Sequence, residues 1–127
     1  MFDNLDVLRI AKGLASHAAA RQSAVAQNIA NADTPEYRAR DIASFEETFR
    51  SDAGAIRATR PGHLDFTASG YVPPAPVAAG GPASPNGNSV SLEAEMVKAV
   101  EVKKEHDLAL AVYRSSMDIL RASIGRR

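Results

Sequence analysis

The sequence predicts a mainly α-helical protein in which long N- and C-terminal helices form a coiled-coil-like pair, joined by an irregular, loop-rich middle. Three observations carry this prediction. Apolar residues recur at alternating spacings of four and three over residues 92–124, and a weaker, Ala-rich series of the same spacing occupies the N-terminus. Between them, residues 71–90 contain no charged side chain but five of the seven prolines, a composition typical of loops.

The C-terminal series predicts one helix over residues 92–124, roughly 45–50 Å long. Ser91 is a plausible N-cap, Glu93 and Glu95 suit the first turn, and Gly125 is a candidate C′ residue. A rod of this length needs a partner helix. Its expected seam consists of Leu92, Met96, Ala99, Lys103, His106, Leu110, Tyr113, Met117, Leu120 and Ile124.

Two members of this seam, Lys103 and His106, are polar. A polar residue at such a position can set the axial register or the number of partners. The alternative is that the seam is simply solvated at this point.

The N-terminal series predicts a second helix over residues 3–31, and its facing partner is expected to be the C-terminal helix. Alanine dominates this series, so two helices could approach closely. Its expected seam residues are Leu8, Ala11, Ala15, Ala18, Gln22, Val25, Ile29 and Ala32.

The N-terminal helix is expected to end near Asn31, because Pro35 disfavours the helical conformation at Thr34. Asn28 and Asn31 lie on neighbouring turns just before this end. Their side chains could make hydrogen bonds between subunits or could cap the helix end, and the sequence leaves both possibilities open.

The middle of the chain shows one clear element. Ser44 and Glu47 form a capping box that predicts a short helix over residues 45–51, with Ile42, Phe45 and Phe49 on one face. The pattern over residues 52–69 is weak, with a turn at 61–62 and at best a short strand at 64–66. Residues 71–90 are interpreted as a passive linker, so the chain divides into segments 1–34, 35–70, 71–90 and 91–127.

Composition excludes several functional classes. The net charge is zero, whereas nucleic-acid binders usually carry a basic excess. There is no cysteine, and Leu, Ile, Val and Phe make up about a fifth of the chain, against 24 alanines, so a large core is not expected. No secretory signal peptide, membrane span, nucleophile motif, phosphate loop or metal-ligand spacing is recognisable. We therefore expect no catalytic residue, metal site or cofactor.

The junction at residues 28–37 resembles the signature of the axial proteins of the bacterial flagellum, which form its rod and hook. This signature reads Asn-Ile-Ala-Asn-x-x-Thr-Pro-x-Tyr and corresponds here to Asn28, Asn31, Thr34, Pro35 and Tyr37. The stretches at 37–41, 60–64 and 85–93 are similar to those of proximal basal-body rod proteins. The family usually has glycine after Thr-Pro, where this chain has Glu36, so we expect a type I turn in place of the type II turn that glycine allows.

The resemblance implies a structural, non-enzymatic subunit of the periplasmic rod, exported through the flagellar type III apparatus without a cleaved signal peptide and required for motility. It implies self-assembly through the terminal helices, and contacts with other rod proteins, the adapter protein FliE and the export-gate base. Two other classes stay open on the residues alone. A soluble helical adapter or export chaperone would be a discrete monomer or dimer, and an enzyme would need a pocket with convergent polar groups.

Overall fold

The computed structural model describes the backbone of residues 2–52 and 71–125, and the side chains of residues 6–50 and 71–125. Its elements are helix α1 (Phe2–Ala30), strand β1 (Arg40–Asp41), helix α2 (Phe45–Asp52), strand β2 (Val77–Ala78) and helix α3 (Leu92–Ile124). The expected turn at 61–62 and strand at 64–66 lie outside the described residues.

Helices α1 and α3 pack against each other along their lengths and run antiparallel. Asn28, near the end of α1, contacts Glu95 near the start of α3, and Arg21, two turns earlier, contacts Glu105. The expected mainly helical fold, with paired terminal helices and a loop-rich middle, is confirmed.

The ends of α3 follow from local chemistry. The Ser91 side chain accepts a hydrogen bond from the Ala94 N–H at 3.4 Å, so the predicted N-cap is confirmed. Gly125 closes the helix by donating its N–H to the Arg121 carbonyl, and its φ of −77° lies outside the left-handed region that many C-terminal glycines adopt. The helix ends without using the conformational freedom of glycine.

Helix α2 begins one residue after Ser44, as the capping box predicts. The Glu47 N–H donates to the Ser44 side chain at 3.4 Å. The rings of Phe45 and Phe49 are tilted by 33° with a centroid distance of 5.2 Å, and Tyr71 meets Phe45 edge-on at the same centroid distance. This aromatic group packs beside Gly13, where an added Cβ would lie 3.2 Å from Tyr71.

The two strands form a single antiparallel ladder in which Arg40 pairs with Ala78 and Asp41 with Val77. The ladder lies beside the C-terminal half of α1. Among the described residues, no helix is long and apolar enough to cross a membrane.

The buried core is small and rich in short side chains, as expected for a chain poor in large aliphatic residues. It includes a completely buried histidine and asparagine. The buried apolar residues are Ala11, Ala18, Ala24, Val25, Ala39, Ile42, Val102 and Ala109.

Candidate assembly surface and the polar junction beside it

Asn28 is the central residue of the junction between α1, β1 and α3. Its side chain is 0% exposed. Its Nδ2 group donates to the Arg40 carbonyl at 2.7 Å and to Glu95 Oε2 at 3.0 Å. Its Oδ1 atom accepts from the Arg40 N–H at 2.9 Å and from the Tyr37 hydroxyl at 3.4 Å. One amide therefore uses two donors and two acceptors and holds β1 as a neighbouring strand would.

Asn31, one turn later, has a different role. Its side chain donates to the Gln27 carbonyl at 2.8 Å and accepts from the Thr34 hydroxyl at 3.2 Å. Of the two open possibilities, Asn31 caps the helix end. Asn28 does neither, because its four hydrogen bonds are tertiary contacts within the chain.

The turn after Thr34 is type II, so the expected type I turn is wrong. The Tyr37 N–H donates to the Thr34 carbonyl at 3.3 Å, which places Pro35 and Glu36 at the two central positions. Glu36 has a φ of 61°, whereas type I requires a negative φ there and the proline ring keeps φ negative at Pro35. A left-handed conformation costs a non-glycine residue on the order of 1–2 kcal/mol.

The strained turn is held by the loop at residues 84–90. The Glu36 N–H donates to the Asn86 carbonyl at 3.0 Å, and Gly87, with a φ of 81°, lies directly against the Glu36 backbone. Asn88 is 2% exposed. Its Nδ2 group lies 2.8–2.9 Å from the carbonyl oxygens of residues 31, 32 and 34.

These contacts overturn the interpretation of residues 71–90 as a passive linker. Beyond the β2 pairing, the Ser89 N–H donates to the Tyr37 carbonyl, and the Ser89 hydroxyl accepts from the Ala39 N–H at 2.9 Å. The loop binds the end of α1 and the segment after it through backbone groups and the side chains of Asn88 and Ser89. Hydropathy and charge patterns do not reveal such contacts.

A ladder of alternating charges continues from Asn28 along the α1–α3 interface. Glu95 is 2% exposed, and its Oε1 atom lies 3.0 Å from Lys98 Nζ. Lys98 Nζ also lies 3.2 Å from Asp41 Oδ2. Arg21 joins the other two carboxylates, with its Nε atom 3.3 Å from Asp41 Oδ1 and its Nη1 atom 3.6 Å from Glu105 Oε1. We call these five side chains the charge ladder.

The contacts within the charge ladder shift the pKa values of Asp41 and Lys98. Burial acts to raise the pKa of Asp41, but hydrogen bonds from the Ile42 N–H, Arg21 and Lys98 outweigh it, so the net pKa lies below the ordinary value. Burial acts to lower the pKa of Lys98, but its bonds to Glu95 and Asp41 prevail and raise it. Both groups are therefore held in their charged forms at neutral pH.

The sequence pattern does not predict the charge ladder. Glu95 suits the helix dipole at the start of α3, and Arg21 and Asp41 are single charges in unrelated contexts. One sequence feature does point to Glu95: it lies seven residues before Val102, in the series that continues with Ala109 and Ser116. The structure shows that all four residues are buried.

The face that α3 turns toward α1 lies roughly one residue position from the expected seam. Val102, Ala109 and Ser116 are buried there, opposite the α1 series Ala11, Ala18 and Val25. Small side chains allow the two helices to approach closely, so the larger residues lie on the flanks. The expected seam residues divide into buried (Ala11, Ala18, Val25), half-buried (Leu8, Ala15, Ala32, Ala99, His106, Leu110, Met117, Leu120) and exposed (Gln22, Ile29, Leu92, Met96, Lys103, Tyr113, Ile124).

An open groove of about 530 Å³ runs between α1 and α3. Its walls are largely apolar, with Lys103 and His106 as polar members. The residues lining it are Ala18, Ala19, Gln22, Ala99, Val100, Val102, Lys103 and His106. On α3 a row of apolar side chains extends beyond the groove from Val100 through Met96 to Leu92 at four-residue spacing, and these side chains are 70%, 60% and 49% exposed.

Comparison with known proteins matches these same elements. The sequence model of the family described as "Flagella basal body rod protein" matches residues 8–38, which cover most of α1 and the whole signature junction. The "Flagellar basal body rod protein FlgB" of Agrobacterium fabrum is 32% identical over 116 residues, 87% of each chain. The chain belongs to the FlgB family of flagellar basal body rod proteins.

A second relative supports the same membership. The "Flagellar basal body rod protein FlgB" of Salmonella typhimurium is 31% identical over 127 residues, 92% of each chain. Both alignments extend far beyond the signature junction, so the likeness to FlgB proteins includes α3 and the middle of the chain. Structural rod subunits of the flagellar basal body make up this family.

Proposed function

We propose that this protein is a structural subunit of the proximal flagellar rod and that it assembles through the open groove between α1 and α3. The observation that carries the proposal is the row Leu92, Met96 and Val100, which exposes large apolar side chains beside an apolar groove. A continuous apolar surface of this kind is typical of protein–protein contact. An amphipathic helix of a neighbouring subunit would bury it.

The family resemblance supports the finer parts of the proposal. The neighbours are other copies of this chain and other rod proteins, with the adapter FliE and the export-gate base at the inner end. The subunit reaches a periplasmic rod through the type III export apparatus, without cleavage of an N-terminal signal. It carries no catalytic activity, and its contribution to motility is mechanical.

The groove can be tested with two matched substitutions. Met96→Asp adds one negative charge to the apolar row beside the groove, whereas Ser115→Asp adds one at an exposed position about 100° further around α3. Both sites are exposed in the single chain, so urea unfolding followed by circular dichroism should give free energies of unfolding within about 0.5 kcal/mol of the wild type.

In a strain whose only copy is the variant, Met96→Asp should abolish swimming in soft agar and remove the subunit from isolated basal bodies. Ser115→Asp should swim. Wild-type swimming by a folded Met96→Asp variant would contradict the groove as the assembly surface. Mass spectrometry of the assembled subunit tests the export route, which predicts no loss beyond Met1.

A further inference from the structure

The small residues between α1 and α3 specify contact but not axial register. Ala11, Ala18 and Val25 repeat every seven residues, as do Val102, Ala109 and Ser116. Sliding α3 by seven residues toward its own N-terminus, about 10 Å along its axis, would bring Ala109, Ser116 and Ser123 to the places of Val102, Ala109 and Ser116. Small residues would then again lie opposite small residues. The apolar packing alone distinguishes poorly between these registers.

The loop at residues 84–90 already ties the start of α3 to the end of α1. We propose that the charge ladder, together with Asn28, adds to this anchor and selects one register along the two helices. Lys98 and Glu105 are themselves seven residues apart, so a slide of seven residues exchanges their positions. The two residues carry opposite charges and meet opposite partners, Asp41 and Arg21. The ladder is thus sensitive to the displacement that the small residues tolerate.

A slide in either direction brings like charges together. If α3 moves toward its own N-terminus, Glu105 takes the place of Lys98 and faces Asp41. If it moves the other way, Lys98 takes the place of Glu105 and faces Arg21. Repulsion at these half-buried positions disfavours both displaced registers, because like charges are weakly screened there.

Asn28 adds to the selection in the first case. After a slide toward the N-terminus of α3, Val102 would occupy the place of Glu95. Asn28 would then lose the carboxylate that accepts from its Nδ2 group, and a buried donor would be left unpaired. A buried polar residue is known to fix register in coiled coils in this way.

The register matters for the groove, because residues of both helices build it. Gln22 and Val100 line it from opposite sides. A displacement of about 10 Å would separate the apolar row of α3 from its α1 wall. The selected register therefore defines the surface offered to a neighbouring subunit.

The test exchanges the two charges without changing composition. In Lys98→Glu/Glu105→Lys, the native register places like charges at both contacts, whereas a slide of seven residues restores an attraction. The chain has no cysteine, so Ser23→Cys on α1 and Ser123→Cys on α3 provide the only two attachment sites for thiol-reactive spin labels. Pulsed electron paramagnetic resonance on the full chain then measures the distance between the two labels.

The background variant with native charges should show one distance, and the exchanged variant should show a population displaced by about 10 Å. Adding Arg21→Glu/Asp41→Lys reverses the partners as well and should restore the original distance. Neutralising Glu101, an exposed α3 charge outside the ladder, should change nothing. The proposal is overturned if the exchanged variant keeps only the original distance, or if it unfolds and the second exchange does not restore the fold and distance.

Discussion

Truncating Asn28 tests the junction most directly, because Asn31 provides a matched control one turn away. Asn28→Ala removes the partner of four groups: the N–H and the carbonyl of Arg40 and the Tyr37 hydroxyl, which are part-buried, and the buried Glu95 carboxylate oxygen. Each unpaired buried group costs about 1–3 kcal/mol, and entering water offsets part of it. We expect a loss of about 3–6 kcal/mol in the free energy of unfolding.

Asn31→Ala removes the same side chain from a helix end that water can reach. The Asn31 side chain bonds to the Gln27 carbonyl and the Thr34 hydroxyl, and both hydrogen bonds are exposed to solvent. The expected loss is about 0.5–1 kcal/mol, as for other caps. Urea unfolding followed by far-ultraviolet circular dichroism measures both values, and losses that agree within about 1 kcal/mol would refute the tertiary role of Asn28.

Asn28→Asp sharpens the same experiment, because it replaces the donor group with a carboxyl. The Glu95 oxygen that now accepts a bond lies 3.0 Å from Asn28 Nδ2, so two carboxyls would meet in a buried site. Burial and the neighbouring charge should raise the pKa of the introduced group above its unfolded value of about 3.9. The folded state then binds the proton more tightly, and the variant should lose stability relative to Asn28→Ala as the pH rises above about 4. A pH-independent difference between the two would contradict this.

Three further predictions concern the strained turn and the charge ladder. Glu36→Gly should be more stable than Glu36→Ala by about 1 kcal/mol in chemical unfolding, because only glycine adopts the positive φ without strain; equal stabilities would contradict the type II turn. Gly87→Ala should lose more than about 1 kcal/mol, since its φ is 81° and the new Cβ would lie 3.3 Å from the Glu36 Cα; a neutral effect would contradict the close approach. The Asp41 pKa is lowered from 3.8, so its stabilisation is present above that pH and is lost as the pH falls through the folded-state value, whereas the raised pKa of Lys98 keeps its contribution complete below pH 10.5. The stability difference between wild type and Asp41→Asn should accordingly be constant at neutral pH and shrink below about pH 4, and a difference unchanged down to pH 2 would argue against the ladder.

The elements themselves were predictable, because local chemistry defines their ends. Ser91 and the spacing of apolar residues predict α3 with the bounds that the structure shows, and Ser44 with Glu47 predicts the start of α2. The pairing of the terminal helices follows from length and amphipathicity. These are properties of contiguous residues, which one sequence displays.

The face of α3 that packs against α1 was not predictable by the same reasoning. A seam drawn through Leu, Met and Tyr assumes that the largest apolar residues face the partner. The alanines of α1 allow α3 to approach closely, so Ala109 and Ser116 face α1 and Met96 faces outward. The choice depends on the size of residues on both helices together, and a single helical pattern contains only half of that information.

The hydrogen bonds of the junction were hidden for a different reason. Asn28 binds residues 12 and 67 positions away, and Asn88 reaches back 54–57 positions. No spacing rule links such positions. The type II turn at Glu36 likewise depends on a distant loop, since Asn86 and Gly87 hold a conformation that glutamate alone disfavours.

The polar contacts fasten the pair of helices α1 and α3 at one end. Within the described residues, every hydrogen bond and ion pair that joins α1 to α3 lies between Arg21 and Asn28, in the last third of α1. Toward the chain ends the residues buried between the helices are small, and larger apolar side chains are half-buried on the flanks. Because about 28 Å of α1 lies between Arg21 and its N-terminal end, a rotation of roughly 10° about Arg21 would move that end by about 5 Å. Subunits with identical junctions could therefore present their tips at different angles to unlike neighbours.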